Sequence, residues 1–271
     1  MVFSGIKIPQ SAVLLLTLAL TQTLWAQDRD KVMERVDESR IALNEIMSAP
    51  DKGIPEEILT GAQCVAVVPS LLKGGFIVGA SYGKGVASCR TPKGWSAPAF
   101  FVVEGGSVGF QIGGQAVDLV MVIMNQEGMR NLLSSKFKLG ADASVAAGPV
   151  GRHAEGATDL KLRVQVLTYS RARGVFAGVT LNGAVVKQDR NDTRAFYGRM
   201  VPFRTLLNGE FAAPTDAQPF IDALTKYAPP EPPAQTAAQK QPEPAAAAKP
   251  APAAPAPAEP SADHAANPAT E

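Results

Sequence analysis

Residues Cys64 to Val103 read CVAVVPSLLKGGFIVGASYGKGVASCRTPKGWSAPAFFVV, and this stretch decides the fold. CVAVV, GFIV, GVASC and APAFFVV are short runs of β-branched or aromatic residues separated by Gly, Pro and Ser. Runs of that kind bounded by turn formers read as strands. Thr91-Pro-Lys-Gly94 is a turn, so the runs ending at Cys89 and starting at Trp95 form a hairpin. Read as a simple meander, the runs place Cys64 and Cys89 at opposite ends. Only another strand order, or a sharp bend at Gly83/Gly85, brings them together.

Outward from this stretch the β texture continues through SVGFQI (107–112) and AVDLVMVIM (116–124). In the first, Val108, Phe110 and Ile112 alternate with Gly109, Gln111 and Gly113. A glycine face marks a bend, a bulge or a close approach, and curvature that closes a sheet toward a barrel is preferred here over a ligand groove. A helix is expected around Gln126–Ser134. LKLRVQVLTY (160–169) and GVFAGVTL (174–181) then give a second hairpin across Ser-Arg-Ala-Arg. After Gln188 the pattern is helical to Tyr227, broken at Pro202 and Pro214. At the other end, Val32, Val36, Leu43 and Met47 recur at helical spacing from Asp28 to Met47, and Pro55-Glu56-Glu57 opens a short second helix. The fold class is therefore α+β: a strongly curved, mostly antiparallel, barrel-like sheet with N-terminal, central and C-terminal helices.

Residues 1–26 have Lys7, an apolar run from Ala12 to Leu20, and a polar stretch closed by Ala26. This is the pattern of a signal peptide cleaved before Gln27; the run is broken by Thr21, Gln22 and Thr23, which argues against a spanning anchor. The expected location is the periplasm or cell envelope, with the exported protein not held in the membrane by a span. Residues 228–271 are mostly Ala and Pro and have no aromatic residue. Such a segment cannot offset its ordering entropy and reads as a disordered tail, either idle or a tether. Residues 27–227 form the one domain.

The whole chain has a formal charge of +1. Removing Lys7 with the leader, and a tail holding five acids and two lysines, leaves +3 on the domain. That mild bias permits contact with anionic headgroups and is too weak for nucleic acid, which needs a concentrated basic face. GASYG (79–83) and GGSVG (105–109) match G-x-S-x-G, but strand-like sequence follows each where a nucleophile elbow needs a helix. His153 is the domain's one histidine. Cys64, Cys89 and His153 have no metal-ligand spacing, no P-loop is present, and no cofactor motif emerges. Asp118, alone in an apolar strand, reads as solvent-facing or as an acceptor of backbone N–H groups.

From Ile54 to Gly209 the chain resembles the SYLF domain family, in IPEEILTGAQCVAVVPS, YGKGVASCRTPKGWSAPAFF, GFQIGGQAVDLVMVIM, LGADASVAAGPVGR, YSRARGVFAGVTLNG and NDTRAFYG, in that order. Its Trp-Ser-x-Pro signature falls on Trp95, Ser96 and Pro98, its acidic position on Asp118, and its most specific block on Gly148, Pro149, Gly151 and Arg152. The resemblance implies binding without catalysis: phospholipids generally, phosphoinositides and actin in eukaryotic members. Asn182 stands where those members often have an acid. An exported protein would meet neither phosphoinositide nor actin routinely, so phospholipid or a membrane surface is the expected partner, and any protein partner is unknown. The runner-up is an envelope scaffold tethered through the tail; a serine hydrolase is more distant. The comparable family segment at Asp28–Met47 contacts membranes in eukaryotic members, but here its polar face mixes acids with Arg29, Lys31, Arg35 and Arg40, which favours packing on the sheet.

Two sets of residues carry the remaining expectations. Cys64 and Cys89 are the only cysteines, and an oxidising compartment predicts their disulfide. Lys73, Lys84, Arg90 and Lys93, with Arg171 and Arg173 on the second hairpin, lie at or near turns where they could reach headgroups. The competing reading of each is an ordinary solvating charge.

Overall fold

A computed structural model describes residues 10–49, 53–75, 78–108, 113–150, 164–172, 175–178 and 181–229. The GFQI alternation at 109–112, His153, Gly151, Arg152, Arg173 and the tail from 230 onward lie outside the described residues.

Helix α1 (Gln10–Met47) is followed by α2 (Glu56–Thr60), which Pro55 opens. Among the described residues ten strands follow: β1 (Cys64–Gly75), β2 (Val78–Thr91), β3 (Gly94–Trp95), β4 (Ala99–Val108), β5 (Gly113–Ile123), β6 (Lys136–Lys138), β7 (Val145–Ala147), β8 (Val166–Ala172), β9 (Val175–Gly178) and β10 (Val185–Gln188). Helix α3 (Gln126–Leu132) interrupts them, capped by the Asn125 side chain. Helices α4 (Arg190–Tyr197), α5 (Phe203–Leu207) and α6 (Gln218–Tyr227) close the unit.

The strands make one curled sheet in the order β6-β10-β4-β2-β1-β5-β8-β7, with β3 on β2 and β9 on β8. Every pairing is antiparallel except β7 with β8. The two edge strands, β6 and β7, are consecutive in sequence, and a Leu139–Ala143 bridge sits in their link. This is the strongly curled, half-barrel form that the sequence predicts, with helices at its start, middle and end.

One expectation is corrected. The first three runs are two long strands, not three short ones. Pro69 and Ser70 do not end the first strand; β1 passes through them as a bulge, with its register shifting between Val67 and Leu72. Pro69 has no N–H for the ladder, which is why the interruption falls there. Ser70 takes the left-handed conformation (φ 55°), and its N–H donates to Asp118 Oδ1 at 3.1 Å. The run GFIV straddles the β1–β2 connection, so Cys64 pairs directly with Cys89 and the two form the disulfide. Arg90 N donates to Gln63 O at 2.8 Å, which makes the cysteine pair the non-hydrogen-bonded kind, where Cα atoms come closest.

Both faces of the sheet are covered, so its central strands read as unbroken apolar runs rather than alternating ones. On the first face, Val65, Val67, Val86, Val120 and Val122 pack with Val32, Val36, Leu43 and Ile46 of α1 and with Phe220 and Leu224 of α6. On the second, Ala66, Val68, Leu71, Phe101, Leu119 and Met121 pack with Leu206 and Leu207 of α5. Helix α1 thus packs on the core over residues 32–46. Gly85 is required by closeness: a Cβ there would lie 2.5 Å from Val67 O and 2.6 Å from Phe101 Cζ.

Candidate functional site

Along the first face, successive rows of side chains change character. The valines of β1, β2 and β5 lie under the helices. The next row holds Lys84, which binds the helix layer directly, and Asp118, which is linked to it through Arg171. Lys84 Nζ is 2.7 Å from Asp189 Oδ2 and 2.9 Å from Asp192 Oδ1, and Asp192 also pairs with Arg35 of α1. Asp118 pairs with Arg171 at 3.5 Å, and Arg171 pairs in turn with Glu45 of α1. Beyond this charged row the face is bare. Leu72 opposes both Tyr82 and Ala116, and Gly74 opposes both Ala80 and Gly114. Leu72 is 57% exposed and Tyr82 46%. With Lys73 and Gln115 these residues line an open hollow of about 550 Å³.

Electrostatics separate the two rows. Burial opposes the charge on Lys84, but its bonds to Asp189 and Asp192 outweigh it and hold the ammonium above its ordinary value. Burial likewise opposes ionisation of Asp189, yet the Asp192 N–H and Lys84 hold that carboxyl below the usual range. Asp192 is pushed up, chiefly by burial. Lys73 points the other way from Leu72, is half-buried, and is pushed down by burial alone.

The five described cations of the six do not lie together. Lys84 and Arg171 are ion-paired to the helix layer, as above. Arg90 donates to the carbonyls of Ala62, Leu59 and Thr60 at 2.8, 3.1 and 3.2 Å, satisfying acceptors that the end of α2 leaves over. Lys93 sits in the β2–β3 turn, while Lys73 opposes Ser81; the nine steps from Ser81 to Arg90 alone span about 30 Å of strand. Arg173 lies outside the described residues. Among the described cations of the set, Lys73 borders the bare row.

Comparison with known proteins decides the family. Residues 104–227 match the Ysc84 family model, described as "Las17-binding protein actin regulator". The SH3 domain-containing YSC84-like protein 1 of Xenopus laevis is 35% identical over 183 residues, 66% of this chain and 54% of that one. The Homo sapiens protein of the same name is 33% identical over 182 residues, 66% and 53% of the two chains. Protein YSC84 of Saccharomyces cerevisiae is 32% identical over 202 residues, 73% and 43%.

The chain belongs to the Ysc84/SYLF family. It spans about half the length of the curated relatives it matches.

In this Ysc84/SYLF domain the described signature residues make packing contacts and hydrogen bonds within the fold. Trp95 is buried, donates from Nε1 to Ala228 O at 3.0 Å, and lies under the Arg90 guanidinium. Arg90 also donates to Pro229 O at 2.6 Å, so the packed unit continues past α6 to Pro229. Ser96 Oγ accepts from Cys89 N at 3.0 Å, tying the signature to the disulfide. Pro98 O accepts from the Tyr197 hydroxyl at 2.5 Å, beside an aromatic group of Phe100, Phe196 and Phe211. Gly148 lies against the Tyr169 ring, where a Cβ would sit 2.1 Å from Cζ; Pro149 follows it, and Gly151 and Arg152 lie outside the described residues. Asp118 fixes the β1 bulge. Ser81 and Ser107 both lie within strands, and Ser81 Oγ is 3.4 Å from Gly105 O. Neither occupies the strand-to-helix turn that a nucleophile elbow requires.

The bare row was not singled out from the sequence. Its signal was available: residues 72–82 and 105–117 together contain one charged residue, Lys73, in a chain that is 19% charged.

Proposed function

We propose that this protein is exported, loses residues 1–26, and acts in the periplasm or cell envelope as a non-catalytic phospholipid-binding protein. The observation that carries the reading is the bare row: Leu72 and Tyr82 exposed side by side, with Lys73 next to them and no acid in the adjoining sequence. Exposed apolar side chains with an aromatic hydroxyl and a lysine suit the boundary between headgroups and acyl chains. The family resemblance supports the same partner class, and the leader-like sequence supports the location. Flotation of the exported protein with vesicles of phosphatidylethanolamine and phosphatidylglycerol tests it. The protein should rise with the vesicles and stay at the bottom without them.

A second reading has one observation in its favour. The matched family is described as a Las17-binding actin regulator, so a protein partner is the alternative. In an envelope protein that partner would be another envelope component, with this domain as a scaffold. Flotation that fails while a cross-linked protein partner is recovered would favour it.

A further inference from the structure

The lipid reading leaves open which part of the domain meets the bilayer. We infer that the bilayer is met end-on by the strand ends beyond the charged row, with Leu72, Tyr82 and Ala116 entering the acyl boundary and Lys73 reaching back to phosphate. This rests on the proposed phospholipid binding and deepens it. The topology supplies the first support. In the order β4-β2-β1-β5, the last residues of β1 and the first of β2 pair with each other (Gly75 with Gly79) and flank the last of β4 (Val78 with Val108) and the first of β5 (Gly75 with Gly113). The ends of four adjacent strands therefore lie side by side there.

The second support is the boundary of the helix layer. Asp189 and Asp192, the latter also paired with Arg35, hold Lys84, and Glu45 holds Asp118 through Arg171, which sets the edge of the covered face. The next row, Leu72, Tyr82 and Ala116, is apolar and exposed among the described residues. The third is charge. A single cation with no neighbouring acid adds little electrostatic attraction, so retention must come from burying apolar surface, and Debye screening should barely weaken it. Lys73 is on the opposite face from Leu72, half-buried beside Ser81 and Gln115, and makes no ion pair among the described residues. A long side chain with an apolar stem and a charged head at that level reaches a headgroup without leaving the sheet.

The test uses the exported full chain and vesicles of phosphatidylethanolamine and phosphatidylglycerol. Leu72→Ser with Tyr82→Ser should weaken vesicle partition at least about tenfold, the loss expected when partly exposed large apolar groups no longer enter the acyl region. Lys93→Gln, at the far end of β2, should bind as wild type. Because both serine changes fall on exposed positions, an unaltered thermal transition will certify the fold. As an independent readout, Tyr82→Trp should be quenched by lipids brominated on their acyl chains. Wild-type binding that the double variant retains, or an unquenched Trp at position 82, would overturn the inference while leaving phospholipid binding intact. Absence of vesicle binding by wild type would overturn both. A concentration-dependent dimer that Leu72→Ser abolishes would assign the row to a second copy of the chain and likewise overturn it.

Discussion

Replacing Lys84 with methionine separates a structural cation from a lipid-binding one. The side chain keeps its length but loses the charge that holds Asp189 and Asp192, whose carboxylates are 7% and 12% exposed. Removing one partner of a buried pair costs about 3–5 kcal/mol, because the remaining charge stays desolvated. Lys84 is itself 29% exposed, and Arg35 remains to pair with Asp192, so the expected loss is about 2–3 kcal/mol. For a unit near 200 residues this corresponds to a fall in Tm of roughly 4–12 °C. The pH dependence has a definite sign. Asp189 is depressed in the folded protein, so its stabilisation is present above the ordinary carboxylate value and is lost as pH falls through its folded one. Without Lys84 that contribution disappears, so the two proteins should differ most near neutrality and converge in acid. Urea unfolding from about pH 2 to pH 7 measures this, because the convergence falls below the ordinary carboxylate value, with Asp192→Asn added to complete a double-mutant cycle. A variant within about 0.5 kcal/mol of wild type at pH 7 would refute the reasoning. So would equal losses across the range.

Other expectations concern the signatures and the chain ends. Replacing Cys64 and Cys89 with serine should cost about 3 kcal/mol by the loop-entropy argument, the bridge spanning 25 residues; denaturant midpoints with and without reductant report it. Gly148→Ala drives a methyl group into the Tyr169 ring and should cost about 1–3 kcal/mol, read by the same titration. Truncation after Glu231 should leave Tm unchanged, whereas truncation after Tyr227 removes the carbonyls that Trp95 and Arg90 use and should lower stability by roughly 1–3 kcal/mol. Mass spectrometry of the exported protein should find Gln27 as its first residue, and a retained leader would contradict cleavage at Ala26.

Much of this fold was legible because its signals are local. The Thr91–Gly94 turn, the Asn125-capped helix, the second hairpin and the proline-broken C-terminal helices all announce themselves within a few residues. Strands β6, β7 and β10 did not, since three or four residues give no periodicity to read. The merging of the first runs was hidden for a different reason. Pro69-Ser70 looks like punctuation in one dimension, and only Asp118, 48 residues further on, turns it into a bulge by accepting the Ser70 N–H. The contacts of the cations were hidden on similar grounds. Their partners, Asp189 and Asp192 for Lys84, Glu45 for Arg171, and the α2 carbonyls for Arg90, are distant in sequence, so each looked available. The bare row lacked a positive motif altogether; its signal is an absence of charge along two separated stretches that the sheet brings together.

Hydrogen exchange of the purified protein, with and without phosphatidylethanolamine–phosphatidylglycerol vesicles, tests the central claim most directly because it locates the contact along the chain. Vesicles should slow exchange in peptides covering β1 and β2 around Leu72 and Tyr82 and in β5 around Ala116, while leaving α1 and the Lys93 turn unchanged. Protection confined to α1, or to the turn at Lys93, would contradict the account and move the membrane contact to another surface.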